Sequence, residues 1–554
     1  MVDTAVEDAP STSSVEALKL ASGGLRGDLV ADLEAASTGV SAESHQLLKF
    51  HGIYSQDDRD QRRALAAAGR ELAHIFMARV AIPGGALSSE QWLVLDQIAE
   101  DLADGSIRLT TRQAVQFHGV AKRGLRPLAH ALHEATMTTF AACGDVVRNT
   151  VMCPSLWYDD AGDGAELARR IATTFKPRTR AHWEIFVGGE LAASAEVEHD
   201  FYGATFLPRK FKIAIGCESE NCVDILAQDL GLVPVTHPER GRGYSVFVGG
   251  GLGRSYAQED TFARLAEPLA FVTSDEVLTL ITAVLSAYRD LGDRTNRRRA
   301  RLKYVVADLG LAAFRREVES RWGSSLTDPV AITLGAADDH LGWRSRGATF
   351  DLGIRVGAGR VRDTEATQLR SALREIAATI RPGLVITAQQ DVVLTSVTHA
   401  QRPAVERILA EHGVLGVGDL GAVQRQALAC PALPTCGQAL AESERVLESV
   451  VERVQSLADS VGASRRPLQL RMTGCPNGCA RPAVAEIGVV GRTKTTYDLF
   501  IGGGPRGDRL ARIYREKVKL DDLDEALRPL MATWAAEAED GEPFGDFVTR
   551  RGLV

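Results

Sequence analysis

The sequence predicts a mixed α/β protein of the α+β class, built from two related halves. Three observations carry that expectation. Segments of strand character alternate with long amphipathic helices, two pairs of segments echo each other in the same order, and 554 residues exceed what one small core organises. FMARVAIPGG (76–85), IRLTTRQAVQFHG (107–119), AHWEIFVGGE (181–190), RKFKIAIG (209–216), TFDLGIRVGAGRV (349–361) and LVITAQQDVVLTSV (384–397) read as strands from their β-branched content and alternation. SSEQWLVLDQIAEDLA (88–103), EVLTLITAVLSAYRDL (276–291), TEATQLRSALREIAATI (364–380) and ALAESERVLESVVERVQSLA (439–458) read as amphipathic helices. IRLTTRQAVQFHGV (107–120) is echoed by VITAQQDVVLTSV (385–397), and YSVFVGGGLGR (244–254) by YDLFIGGGPRG (497–507), so each half ends in an aromatic strand and a Gly-rich turn. Boundaries are expected near 140, 340 and 415.

Lys plus Arg (64) less Asp plus Glu (72) gives a net charge of −8, with 45% hydrophobic residues. That is the profile of a mildly acidic globular protein, for which nucleic acid is not the expected partner. The N-terminus, MVDTAVEDAPSTSSVEALKL, has neither a basic n-region nor an apolar h-region, and no apolar run reaches membrane-spanning length. A cytoplasmic protein with a loose N-terminal arm over 1–42 is expected.

Eight cysteines are present. Cys143, Cys153, Cys217 and Cys222 read as scattered. Cys430 with Cys436 in CPALPTC, and Cys475 with Cys479 in CPNGC, form two close pairs. Zinc knuckles favour two to four intervening residues, narrower than the gap in CPALPTC. A dithiol redox motif would be CxxC, which neither pair supplies, and a disulfide framework does not suit a reducing compartment. An iron-sulfur cubane needs four thiolates at the corners of one cluster, which two unequal pairs provide. Cluster, zinc and unligated core cysteines all stay open on spacing alone. Pro476 after Cys475 suits a helix start that would put Cys475 and Cys479 one turn apart, and a second helix is expected just after Cys436.

ALACPALPTCGQALAESER (427–445) followed by MTGCPNGCARP (472–482) resembles the cluster signature of the sirohaem-dependent sulfite and nitrite reductases. The likeness continues through KFHGIYSQDDRDQR (49–62), GSIRLTTRQAVQFHG, FLPRKFK and FVGGGL to GEPFGDFVTRRG (541–552), and is greatest to the haemoprotein subunit of assimilatory sulfite reductase. The resemblance implies a [4Fe-4S] cluster on Cys430, Cys436, Cys475 and Cys479, with Cys479 also ligating sirohaem iron. It implies two ferredoxin-like half-domains, 65–140 and 340–414, flanked by larger α/β modules over 141–339 and 415–554.

Reducing an oxyanion beside a polycarboxylate macrocycle requires concentrated positive charge. By position, Arg79, Arg148, Lys210 and Lys212 match the family's catalytic cations. Arg108, Arg112, Gln116 and His118, at even spacings in SIRLTTRQAVQFHG, fall in the segment the family uses for sirohaem. The basic run DRTNRRRARLK (293–303) is expected to add carboxylate partners, a docking surface or a solvated face. Some ferredoxin-dependent members join a tyrosine to a cysteine near the haem, and Tyr54 with Cys153 are the candidates here.

No GxGxxG follows a strand and opens a helix, and no flavin domain is apparent, so electrons are expected from another protein. The resemblance names a flavoprotein subunit drawing on NADPH, or ferredoxin, as the donor. It names sulfite as the substrate, with nitrite as the alternative.

Overall fold

The computed structural model describes residues 12–157, 164–177, 184–187, 190–194 and 201–554. Four five-stranded sheets carry the architecture among these residues. The first runs Ile53–Asp57, His74–Val80, Val115–Val120, Ile107–Leu109, Arg360–Val361, with every neighbouring pair antiparallel. The second runs Gly342–Arg346, Thr349–Ile354, Val392–Thr398, Gly383–Ile386, Ala86–Leu87, again antiparallel throughout. The closing strand of each sheet comes from the other half of the chain, a reciprocal exchange that locks the two together. Their helices, Ser89–Leu102 and Leu369–Thr379, are joined by a buried ion pair of 2.6 Å between Arg370 and Asp96. The first of these helices begins at Ser88 in a capping box with Gln91 and turns Trp92, Leu95, Ile98 and Ala99 into the core, the spacing expected of one apolar face.

The third sheet runs Val151–Met152, Ile213–Ile215, Leu230–His237, Gly241–Val248, Glu267–Thr273. The fourth runs Leu428–Ala429, Leu470–Thr473, Ile487–Gly491, Tyr497–Ile501, Arg512–Val518. In both, the first two pairings are parallel and the last two antiparallel. The two echoes in the sequence fall on matching strands of matching sheets, so the chain is a pseudo-twofold duplication.

Several local expectations are corrected. The arm expected to be loose is helical from Ser14: Ser14–Ala21, Leu29–Glu34 and Ala42–Leu48 pack on the body, while residues 1–11 lie outside the described residues. Lys19, 2% exposed, is held by Glu16 and, at 3.4 Å, by Asp145, and Arg294 bonds Glu16 from the far side. Burying an ammonium is tolerable only with such anionic company. IRLTTRQAVQFHG is a hairpin rather than one strand: it turns over 110–114 with Gln113 at φ +52, so Arg108 faces Gln116 across the ladder and Arg112 sits in the turn. The strand expected over 181–190 is described at Glu184–Val187, with 181–183 and 188–189 outside the described residues.

CPNGC starts no helix. It is a pair of turns in which Gly478 adopts φ +64 and the Arg481 amide donates to the Gly478 carbonyl at 2.9 Å. The helix expected after Cys436 starts only at Leu447. Residues 439–443 are diverted beneath the cysteine loops, where the Leu440 and Ala441 amides both donate to the Gly474 carbonyl (2.7 and 3.0 Å) and the Ser443 hydroxyl donates to Met472. These bonds replace the i→i−4 pattern that the amphipathic spacing favours.

Candidate active site

The two cysteine pairs follow the parallel strands Leu428–Ala429 and Leu470–Thr473 of the fourth sheet. Cys430 follows Leu428–Ala429 directly, and Cys475 follows Leu470–Thr473 after one glycine. The four thiols of the two pairs are electrostatic neighbours: Cys430 is perturbed by Cys479, Cys475 and Cys436, and Cys475 by Cys479 and Cys436. Burial first, and then the neighbouring sulfurs, push Cys475 up to about 12 and Cys430 further in the same direction. Four crowded thiols that resist ionisation alone become stable thiolates when they share a cationic metal core. Donors already turned toward them are the Gly474 amide, 3.3 Å from the Cys430 sulfur, and the Asn477 amide, 3.5 Å from Cys475. Arg59 donates to the Cys436 and Ala439 carbonyls and fixes the loop from outside.

Cys479 is exposed and forms part of the wall of a cleft. Of its twenty lining residues among those described, ten are Arg or Lys and none is acidic, which makes the cleft a receptor for a large polyanion. Lys210 and Lys212 line it, on either side of the fully buried Phe211, as alternation along extended backbone requires. Burial first, and then Arg301 and Arg148, lower Lys210 to about 7; Lys212 is lowered further by burial, Lys210 and Arg301. Arg112 reaches the cleft from the hairpin turn, donating to Gln228 at 3.0 Å and to the Asn149 carbonyl, and burial lowers it to about 9. The basic run resolves into cleft lining, since Arg297, Arg298, Arg301 and Lys303 all contribute.

Arg79 and Arg148 stand on adjoining elements. Arg79 donates to the Cys143 sulfur at 2.8 Å, and Gln116, with its amide oxygen turned inward, accepts from Arg79 at 2.5 and 3.3 Å. Burial opposes the charge on Arg79, but Cys143, Tyr54 and Cys479 outweigh it and shift it upward. Arg148 donates from Nε to the Gly144 carbonyl at 2.8 Å and lies within electrostatic reach of Lys210 and Arg112. Tyr54 hydrogen-bonds to Cys143, and burial followed by that thiol raises it to about 12. The thiol beside Tyr54 is therefore Cys143 and not Cys153, which lies among Glu220, Cys222 and His340.

Arg108 is placed differently from the other cations. Fully buried, it pairs with Glu444 at 2.9 Å and donates to the Leu109 and Ala429 carbonyls, supporting the residue before Cys430 rather than lining the cleft. His118, 3% exposed, meets Thr435 at 3.4 Å through Nδ1, while its Nε2 has no hydrogen-bond partner. Sequence reasoning missed Arg254 and Arg481, which also line the cleft. Arg481 stood in the quoted motif itself, and its φ of +61 marks it as held for a purpose.

A donor set of four thiols fits a cubane. The cleft fits a polycarboxylate macrocycle, and it has buried nitrogens without a hydrogen-bond partner among the described residues to offer: the Nε atoms of Arg112 and Arg301. Comparison with known proteins agrees with this chemistry. Residues 143–326 and 421–554 match the family model "Nitrite and sulphite reductase 4Fe-4S domain", and 68–135 match "Nitrite/Sulfite reductase ferredoxin-like half domain". The chain is 43% identical over 98% of its length to a sulfite reductase [NADPH] hemoprotein beta-component of Acidithiobacillus ferrooxidans, covering 96% of that protein. It is 39% identical over 98% of its length to a sulfite reductase [ferredoxin] of Synechococcus elongatus, covering 90% of it. Among solved structures, Mycobacterium tuberculosis NirA shares the fold with a TM-score of 0.78 at 24% identity, over 97% of this chain and 96% of that one. A cluster-bearing oxidoreductase is what fold and site define. The chain belongs to the nitrite and sulfite reductase family.

Proposed function

We propose that this protein is the haemoprotein of an assimilatory sulfite reductase, catalysing six-electron reduction of sulfite to sulfide at a sirohaem coupled to a [4Fe-4S] cluster. One observation carries the reading: a cleft walled, among the described residues, by ten cations and no carboxylate opens directly onto Cys479, the exposed member of the four-cysteine set. Cys430, Cys436, Cys475 and Cys479 would hold the cluster, and the exposed Cys479 would also ligate the sirohaem iron. Arg112, Arg301, Lys303 and Arg481 would bind the macrocycle's carboxylates, while Gln116 and His118, which meet Arg79 and Thr435 outside the cleft lining, would support the residues around it. Sirohaem supplies the iron through which electrons reach the bound oxyanion.

The protein's own side chains do the rest. Arginine gives up its proton with difficulty and offers a forked pair of donors, so Arg79 and Arg148 hold the oxyanion. Lys210, lowered to about 7, is poised to release a proton near neutral pH. Lys210 and Lys212 therefore deliver protons to oxygen atoms leaving as water. Each proton that departs is replaced more readily because the anionic cofactor and substrate counter the burial that depresses the lysines. Arg108 is a positioning residue, holding the Ala429 carbonyl beside Cys430. The units over 65–140, 141–339, 340–414 and 415–554 are proposed as half-domain, cationic module, half-domain and cluster module.

The electron donor is proposed to be a flavoprotein subunit drawing on NADPH. Two relatives, 43% and 38% identical, are named as the hemoprotein beta-component of an NADPH sulfite reductase, whereas a 39% identical relative is named for ferredoxin. Turnover of sulfite and nitrite with reduced methyl viologen tests the substrate: higher specificity for nitrite overturns the assignment. Mixing the protein with each donor tests the partner. No helix among the described residues is long and apolar enough to cross a membrane.

A further inference from the structure

Three of the four cysteines that read as scattered, Cys153, Cys217 and Cys222, are brought together at the pseudo-symmetric counterpart of the cluster loops. Cys153 follows Val151–Met152 just as Cys430 follows Leu428–Ala429, and Gly216-Cys217 follows Ile213–Ile215 just as Gly474-Cys475 follows Leu470–Thr473. In both sheets these two strands are parallel partners, Met152 opposite Ile215 and Ala429 opposite Met472. The second cysteine of each loop lies five or four positions on, at Cys222 and Cys479.

The donor set differs. Cys153, Glu220, Cys222 and His340 are all buried, and their ligand atoms lie within 4.8 Å of one another. Glu220 Oε1 stands at the centre, beside the Cys153 sulfur, 3.3 Å from the Cys222 sulfur and 3.3 Å from His340 Nε2. Its other oxygen accepts from the Cys222 and Asp338 amides at 2.8 and 3.4 Å. His340 is 3% exposed and its Nε2, aimed at the group, makes no well-aligned hydrogen bond. Its backbone is held at φ +58, a conformation that a side chain rarely adopts without a reason. Cys217, half-buried at the rim, touches Cys153 and bonds Ser219 at 2.9 Å. A cubane spreads its thiolates around four corners; two sulfurs, an imidazole and a carboxylate converging on one point suit a single tetrahedral ion of borderline softness.

We infer that Cys153, Cys222, His340 and Glu220 form a structural zinc site, in which the first module has kept the strand-end loops of the duplicated frame and changed their cargo. The site ties two strand ends of the third sheet to the segment entering the strand Gly342–Arg346, two residues beyond His340. A small opening lined by Pro154, Trp157, His340 and Arg344 gives the ion access.

Elemental analysis of the holoprotein, expressed in zinc-replete medium and dialysed against a mild chelator, tests the inference. The expected result is one zinc per chain beyond the iron of cluster and sirohaem. Zinc K-edge spectroscopy is expected to resolve sulfur near about 2.3 Å and lighter donors near about 2.0 Å. Cys222→Ser and His340→Ala are expected to lose the zinc and keep the sirohaem spectrum, and Cys217→Ser to retain zinc. Wild-type protein with well under one zinc per chain overturns the site and leaves an imidazolium–carboxylate pair between thiols, a result that needs no variant to fold. Iron in place of zinc, or zinc that persists when both Cys222 and His340 are replaced, overturns it equally.

Discussion

Two loops that share one frame have been given opposite tasks. The loops after Leu428–Ala429 and Leu470–Thr473 gather four thiols within electrostatic reach of one another and present Cys479 to a cationic cleft. Those after Val151–Met152 and Ile213–Ile215 bring two sulfurs and a carboxylate together with the His340 imidazole in a buried group. The strands and their register are the same, so strand geometry does not decide which site can exchange electrons. The two sites differ in the exposure of the last cysteine: Cys479 is exposed, Cys222 fully buried.

Replacing the last cysteine of each loop should separate the two sites most sharply. Cys479→Ser is expected to abolish sulfite turnover and the magnetic coupling of cluster to haem, read by electron paramagnetic resonance. Cys222→Ser is expected to leave that coupling intact and lower only the melting temperature. A Cys479→Ser protein with coupled cofactors and full activity would sink the proposed bridge.

The cations come next. Lys210→Met and Lys212→Met are each expected to slow turnover by about 10²–10⁴-fold, the usual range for a lost proton donor, while Arg148→Ala raises the sulfite concentration needed for half-saturation. Full turnover in both lysine variants, with only binding lost in Arg148→Ala, would refute the division of roles.

The glycines preceding the paired loops offer a smaller contrast. A Cβ at Gly474 would meet the Ala441 carbonyl at 2.5 Å and the Ala432 side chain at 2.6 Å, whereas one at Gly216 would meet only the Ile225 side chain at 3.1 Å. Gly474→Ala is therefore expected to cost about 1–3 kcal/mol in denaturant titration and to lower cluster occupancy, and Gly216→Ala less than about 1 kcal/mol.

The smallest effect is a pH limb. Lys210 is lowered from its ordinary 10.5 to about 7 by burial and then by Arg301 and Arg148. Its protonated form is the one that donates, so turnover should fall as pH rises through about 7 or somewhat above, where bound anions lift it. Stability of the cofactor-free protein moves the other way: above pH 7 the unfolded chain binds the proton that Lys210 has lost, so folding is favoured as pH rises toward 10.5. A Lys210→Arg variant with an unchanged limb would assign it elsewhere.

Much of the architecture was legible from local pattern. The duplication showed as two ordered echoes because matching strands keep matching alternation, and Ser89–Leu102 showed because its capping box and apolar face are written within a few residues of each other. The two cysteine pairs were visible because ligands on a tight loop lie close in sequence. Arg108 and Arg112 looked alike from their even spacing, until a turn at Gln113 sent one behind Cys430 and the other into the cleft.

By itself the sequence determined the class of fold, the duplicated order of its strands and the two close cysteine pairs, since periodicity and short loops are local properties. Only the tertiary structure decided that Cys143 and not Cys153 meets Tyr54, that the run 293–303 lines the cleft, and that Cys153, Cys222 and His340 belong together. Those contacts span tens to hundreds of residues, and strand pairing across a sheet, which no local spacing encodes, is what closes them.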